Sequence, residues 1–391
     1  MTATPPDIKR GLAGVVADSS AVSVVDEETG SLLYRGYPVP DLAATRSFEE
    51  VAYLIWHGEL PDATELAQLT ATERARRQVP RQVAQALAQL PLTCHPMDVL
   101  RTAVSYLGAE GTGSSGEAGG AGPGPSEEAG AAQADDDLEQ SIDLWAKLPT
   151  IVAAEQRRRR GLAPIPPDPS LSFAENFFHM CAGAVPDPEV VRSFEISLVL
   201  YAEHGFNAST FAARVITSTG SDLYSAVTGA VGALKGPLHG GANEAVMGIF
   251  GEVKEPEEVD EWLTNALDAK QKVMGFGHRV YKHGDSRVPT MRTVLQQLAQ
   301  RSAEGQQLLA VSERLEQAML EKKGLYPNLD YPSGPVYFLM GFDIPTFTPI
   351  FVMSRITGWT AHIMEQKANN ALIRPLSAYV GHPRRPLPGR R

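Results

Sequence analysis

Residues 47–61 read "SFEEVAYLIWHGELP". Ser47 followed three positions later by Glu50 is the pattern of a capping box, in which each side chain satisfies a backbone N–H that the first helical turn leaves open. Val51, Leu54 and Ile55 then fall on one face, and Gly58 supplies a stop. The stretch predicts an amphipathic helix that gives one side to a core. The same grammar recurs down the chain. "DPEVVRSFEISLVLYAEHG" (187–205) predicts a long helix ending at Gly205, and "SDLYSAVTGAVGALKG" (221–236) one capped by Ser221 and stopped by Gly236. "PTFTPIFVMSRITGWTAHIMEQKANN" (345–370) predicts another near the C-terminus. Ala, Gly and Ser recur inside these helices, which permits close packing. Only residues 12–40 look strand-like, with "AVSVVD" and "LLYRGY" around the turn "EETG". The fold class is mainly α.

The 391 residues are 43% hydrophobic and 21% charged, ordinary for a globular protein. No apolar run reaches the roughly 18–20 residues that cross a bilayer. The N-terminal sequence lacks the apolar core of a signal peptide. Cys94 and Cys181 make neither a disulfide framework nor a zinc set. A cytoplasmic protein with no membrane role is expected. The net charge of −11 is misleading, because eight of the 46 acidic residues lie in 110–139, where no basic residue occurs. Residues 109–137, "AEGTGSSGEAGGAGPGPSEEAGAAQADDD", have almost nothing to bury and are expected to form a flexible acidic loop inserted into helical sequence. "RRRR" at 157–160 sits before Gly161 and Pro164, where cations suit the carbonyl end of a helix. Without interleaved aromatics or a recognised motif it does not indicate nucleic-acid binding.

Three histidines stand beside glycines: His204 in "YAEHGFNAST", His239 in "GPLHGGAN" and His278 in "GFGHRVYKHGDSR" (275–287). Glycine lets a ligand approach the backbone but also closes turns, so one such histidine fits a loop-holding role equally well. Three in succession point to a site. A metal reading would take His278, His283 and Asp285, yet no HExxH or CxxC anchor accompanies them, and Lys282 and Arg287 repel a cation. The glycines match neither GxxxxGK[ST] nor GxGxxG. Arginines, by contrast, clamp carboxylates through paired hydrogen bonds. A neutral histidine at a helix N-terminus, its pKa lowered by the dipole, can donate to a developing enolate. His239, just before the helical "ANEAVMGIF", fits that position. Asp330, in the Pro- and Gly-bracketed loop "GLYPNLDYPSGPVY", offers a carboxylate base. The cluster points to a small anion that carries a carbonyl.

At these residues the chain resembles the citrate synthase family. "GPLHGGAN", "GFGHRVYKHGDSR", "YPNLD" and "MSRITGWTAHIMEQKANNALIRP" (353–375) occur in the family's order and spacing, and "SFEEVAYLIWHGELP" is similar to its early helix. The likeness covers residues 12–385, with the acidic loop as the exception. It implies a large helical domain (1–234 and 336–391) carrying a small N-terminal β element, with a smaller helical domain (235–335) inserted. A cleft between them would hold the site, and the protein would be a homodimer. It further implies that His239 hydrogen-bonds the thioester carbonyl, Asp330 abstracts the α-proton and His278 polarises the ketone of oxaloacetate. His204, Arg287 and Arg355 would hold oxaloacetate, with Arg374 reaching in from the other subunit. Lys282 and Lys323 would meet coenzyme A phosphates. No metal or redox cofactor is implied, the coenzyme A thioester being a substrate.

The family condenses oxaloacetate with acetyl-CoA to citrate or with propionyl-CoA to 2-methylcitrate. Tyr331 and then Pro332–Ser333–Gly334–Pro335 follow the base in place of an aromatic pair, which looks like the short bacterial 2-methylcitrate synthases. Propionyl-CoA is therefore the expected acyl donor, with citrate synthesis as the alternative main role. Cross-reactivity is expected, since one methylene is worth only about 1–3 kcal/mol in an apolar pocket. A non-catalytic sensor of coenzyme A or dicarboxylate would have lost a catalytic group, whereas Asp330, His239 and His278 are all present. A citryl-CoA-cleaving enzyme would need further domains, of which the sequence carries no trace. Residues 1–46 leave no room for the extra N-terminal domain of the NADH-regulated members, so strong NADH inhibition is not expected.

Overall fold

The structure is a computed structural model, and it describes residues 8–26, 29–111, 127–278, 280–281 and 284–387. The N-terminal segment forms a three-stranded antiparallel sheet, β1 (Ser23–Val25), β2 (Leu32–Tyr34) and β3 (Tyr37–Pro38), in that spatial order. Val24 pairs with Leu33, and Leu33 with Pro38. The β2–β3 turn places Arg35 at φ 50° and Gly36 at φ 91°, the paired left-handed positions of a two-residue hairpin turn. Strand residues thus lie where the β-branched pattern predicts them.

Sixteen helices follow among the described residues. The first ten are α1 (Val39–Thr45), α2 (Phe48–His57), α3 (Ala63–Arg76), α4 (Arg81–Ala88), α5 (Pro96–Gly111), α6 (Glu127–Arg159), α7 (Phe173–Ala182), α8 (Pro188–Tyr201), α9 (Ala208–Ser218) and α10 (Leu223–Leu234). The capping box at Ser47 and Glu50 forms with both bonds, and Gly58 ends α2 in the left-handed conformation. α10 is capped by Asp222 rather than Ser221, because the carboxylate accepts from the Ser225 N–H at 2.8 Å. The expected acidic loop is also corrected at its far end: α6 begins at Glu127, and Asp137 is buried in an ion pair with Lys367 at 2.6 Å. The centre of that segment lies outside the described residues. The arginine run does end a helix, and Arg158 and Arg159 both hold Glu155 at 2.7 Å while Arg160 holds Asp343.

The remaining helices are α11 (Ala242–Glu252), α12 (Val259–Asp268), α13 (Val288–Ala299), α14 (Ala303–Lys323), α15 (Asp330–Leu339) and α16 (Phe347–Ala368). α11 to α15 pack largely on one another, whereas α16 runs among α2, α6, α8, α9 and α10. Every residue of α16 from Phe347 to Ile363 is buried, so this helix is enclosed on all sides. α15 starts at Asp330, so the residue expected in a loop is instead the first residue of a helix. No helix among the described residues is long and apolar enough to cross a membrane.

Candidate active site

Five stretches converge: the turn after α8, the loop before α11, the loop 275–287, the start of α15 and the middle of α16. Two backbone bonds, Gly277 N–H to Tyr326 O (2.8 Å) and Asn328 N–H to Gly275 O (2.9 Å), clip the 275–278 loop to the approach to α15. Gly275 has φ 85°, and a Cβ there would lie 2.8 Å from Val246 and 3.0 Å from Tyr331. Only glycine permits that close approach. His278 and Asp330 are thereby brought to one place.

The two histidines read as neutral donors. His278 Nδ1 accepts from the N–H groups of Val280 (3.1 Å) and Tyr281 (3.4 Å), which leaves the ring proton on Nε2. Burial lowers its pKa to about 4, helped by the charge of Arg287 and opposed by Asp285. His239 Nε2 accepts from the Ser209 N–H (3.3 Å) at the start of α9 and lies 2.8 Å from Ser209 Oγ, which itself accepts from Trp359 of α16. Asn207 Oδ1 also lies 3.2 Å from Nε2 but already accepts from the Ser209 and Thr210 N–H groups, so with Nε2 accepting from the backbone the His239 proton resides on Nδ1. Its pKa also falls to about 4, through burial first and the Arg355 charge second. Among helices, the N-terminus that meets its ring is that of α9.

Asp330 is half-buried, and the surrounding protein raises its pKa to about 6. A hydrogen bond donated by Tyr201 Oη to Oδ1 at 2.7 Å opposes that rise. Tyr201 packs on Phe351 (ring centroids 4.2 Å), Arg355 stacks over the same phenylalanine at 4.7 Å, and His239 meets its edge at 6.4 Å. Phe351 therefore lies against Tyr201, the Arg355 guanidinium and the His239 ring together. His204 lies 5.0 Å from His278, ring to ring, and its Nε2 is 3.1 Å from Tyr281 Oη. Burial, then Arg287 and His278, hold His204 well below the usual imidazole range.

The two arginines differ. Arg287 is bound on two atoms by Asp285 (2.9 and 2.7 Å), whose Oδ2 also accepts from the Leu329 N–H beside the base. Arg355 donates Nε to Tyr201 O (2.7 Å) and has no carboxylate partner among the described residues. A buried guanidinium that feels the Glu203 charge but has no carboxylate bonded to it, beside two neutral histidines, suits a carboxylate-bearing ketone. Arg374 is not brought to this cluster; it lies exposed in the extended stretch after α16. Lys282 lies outside the described residues. Lys323 is exposed at the end of α14, seven residues before the base. Sequence reasoning missed Tyr201, Phe351, Tyr281 and Ser209. Of the site's partners, the sequence names Asp285 only as a possible metal ligand, whereas the structure makes it the carboxylate that holds Arg287.

A carboxylate of raised pKa, two imidazole N–H donors and a guanidinium with no bonded carboxylate together can remove a weakly acidic proton while stabilising the oxygen that gains charge. The model of the citrate synthase C-terminal domain matches residues 11–376. A 2-methylcitrate synthase of Mycobacterium tuberculosis (strain H37Rv) is 59% identical over 384 residues, covering 98% of this chain and 93% of the relative. A citrate synthase of Mycolicibacterium smegmatis is also 59% identical, over 382 residues, covering 98% and 97%. Among solved structures, citrate synthase from the thermophilic archaeon Thermoplasma acidophilum, in a ternary complex with carboxymethyl coenzyme A and oxaloacetate, aligns with a TM-score of 0.89. It is 33% identical and covers 97% of this chain and 98% of that one.

Proposed function

The chain belongs to the citrate synthase family, and from that membership we propose how its residues divide the work. It is an enzyme that condenses oxaloacetate with a short acyl-CoA and releases coenzyme A. Asp330 takes the α-proton of the acyl group while His239 Nδ1–H donates to the thioester oxygen. The resulting enol carbon attacks the ketone carbon of oxaloacetate, whose oxygen is polarised by His278 Nε2–H. His204, Arg287 and Arg355 hold its polar groups. Water then cleaves the thioester of the condensed product, and Lys282 and Lys323 meet coenzyme A phosphates. No metal or redox cofactor enters this scheme. The observation that carries it is the Asp330 carboxylate, raised to about 6 yet held by Tyr201, beside two histidines whose backbone bonds leave each with one outward N–H.

For the acyl group we take propionyl-CoA as the preferred donor, with acetyl-CoA also accepted. Relatives of equal identity carry the names 2-methylcitrate synthase and citrate synthase, which supports dual use. Residues 235–335 form the smaller domain, supported by the mutual packing of α11 to α15, although its return boundary falls inside α15. The protein works as a cytoplasmic homodimer in which Arg374 completes the partner's site. The exposed apolar side chains of Leu372, Leu376, Tyr379, Val380 and Leu387 in the extended C-terminal stretch support a second copy as their cover.

Thiol release with oxaloacetate and either acyl-CoA tests the reading. Propionyl-CoA is expected to show the higher kcat/KM, by no more than the roughly 10- to 200-fold that one methylene allows. Asp330→Asn is expected to lower kcat roughly 10²- to 10⁴-fold. Undiminished turnover in that variant would remove Asp330 from the mechanism.

A further inference from the structure

We infer that His362, seven residues after Arg355 on α16, is a positioning residue for oxaloacetate: through Glu203 it fixes the turn that carries His204. The inference rests on His204 being an oxaloacetate ligand.

The turn after α8 is held from three sides by one carboxylate oxygen. Glu203 Oε1 accepts from Ser23 Oγ of β1 (2.9 Å) and from the Gly205 N–H, and lies 2.8 Å from His362 Nε2. Arg214 Nη1 lies 3.1 Å from His362 Nδ1 and Glu365 Oε2 3.6 Å from the same atom. Burial opposes the imidazolium, but Glu203 and Glu365 together raise the His362 pKa, and Nε2–H faces Glu203 in either protonation state. A buried network of Arg214, Glu365, His362 and Glu203 thus ends in a bond donated to Glu203, its members polarising one another. Arg214 also lies 4.5 Å over the ring of Phe206, two residues beyond His204, and pairs with Glu365 (2.7 Å) and Asp18 (3.2 Å). The turn is gripped on both flanks of His204.

Stability alone does not account for this arrangement. Burying ions costs several kcal/mol each, and apolar groups of the same volume often hold helices together equally well. Glu203 Oε2 is moreover buried without a hydrogen-bond partner, against Gly358, where a Cβ would come within 2.1 Å. An unsatisfied carboxylate oxygen and a helical glycine are both destabilising. What the arrangement gains is direction. His362 and Arg355 lie two turns apart on the same helix, so α16 carries one oxaloacetate group itself and sets the position of the other through Glu203.

Purified full-length His362→Leu, His362→Gln, Glu365→Gln and His204→Asn variants, assayed by thiol release with each substrate varied in turn, test the inference. His362→Leu is expected to raise KM for oxaloacetate about tenfold, the scale of one charge-assisted hydrogen bond, with KM for the acyl-CoA unchanged. His362→Gln, whose amide can still donate to Glu203, should recover part of the loss. A merely structural role would lower kcat with the folded fraction and leave both KM values at parental level, and that result overturns the inference. Should His362→Leu fail to fold, Glu365→Gln decides: it strips an anion from Arg214 at a half-exposed position, and a raised oxaloacetate KM supports the relay whereas a parental one overturns it. A parental oxaloacetate KM in His204→Asn would instead overturn the site assignment itself.

Discussion

At Tyr201 a single hydroxyl decides when the base is available. It donates to Asp330 and so favours the carboxylate, against the burial that lifts the group to about 6. With His239 and His278 neutral above about 4, Asp330 as the proposed base is expected to set the acid limb of activity. kcat/KM for the acyl-CoA is expected to rise as pH climbs through about 6 and to fall about tenfold per unit below it. Tyr201→Phe removes the bond that lowers the pKa, so the midpoint should move to higher pH. A pH–rate profile with an unmoved midpoint would show that the bond is idle. Asp330, His239 and His278 were legible in sequence because polar groups among Gly and Pro break every core pattern. Tyr201 and Phe351 were not, since an aromatic residue in an apolar helix reads as core until another helix brings a carboxylate to its edge.

Helix α16 shows how little space an element can have. A Cβ at Gly358 would lie 2.1 Å from Glu203 Oε2 and 2.6 Å from Ala202 O, and the second of these is backbone that cannot swing aside. Gly358→Ala is expected to cost about 1–3 kcal/mol, as overpacking does, and to raise KM for oxaloacetate by displacing Glu203. Thermal unfolding together with an oxaloacetate titration checks both, and a parental melting temperature would mean that α8 and α16 separate freely. Caps and apolar stripes made α2, α8, α10 and α16 readable from sequence. Two stretches misled for a common reason: composition was weighed without position. "DYPSGPVY" holds prolines, but Pro332 stands in a first turn where its missing N–H would go unused, and only Pro335 forfeits an internal bond. The acids from Glu127 onward resemble a loop, yet Ala and Glu favour helix.

At the scale of the whole molecule, the proposed dimer makes each site a shared object. Arg374→Ala and Asp330→Asn variants should each be nearly inactive, yet unfolding and refolding them together should restore activity in hybrids that contain one intact site. Separate and mixed preparations giving the same residual rate would overturn the placement of Arg374 across the interface. Within one subunit, the two ends of the sequence already meet: the Ala21 N–H donates to Glu365 at 2.7 Å across 344 positions. Glu203, Arg214 and the β1 strand wait on the same helix. During synthesis, then, everything up to α15 can leave the ribosome without an anion pocket, because Arg355 and His362 are still to come. A copy that ends before α16 is therefore expected to leave the thioester untouched.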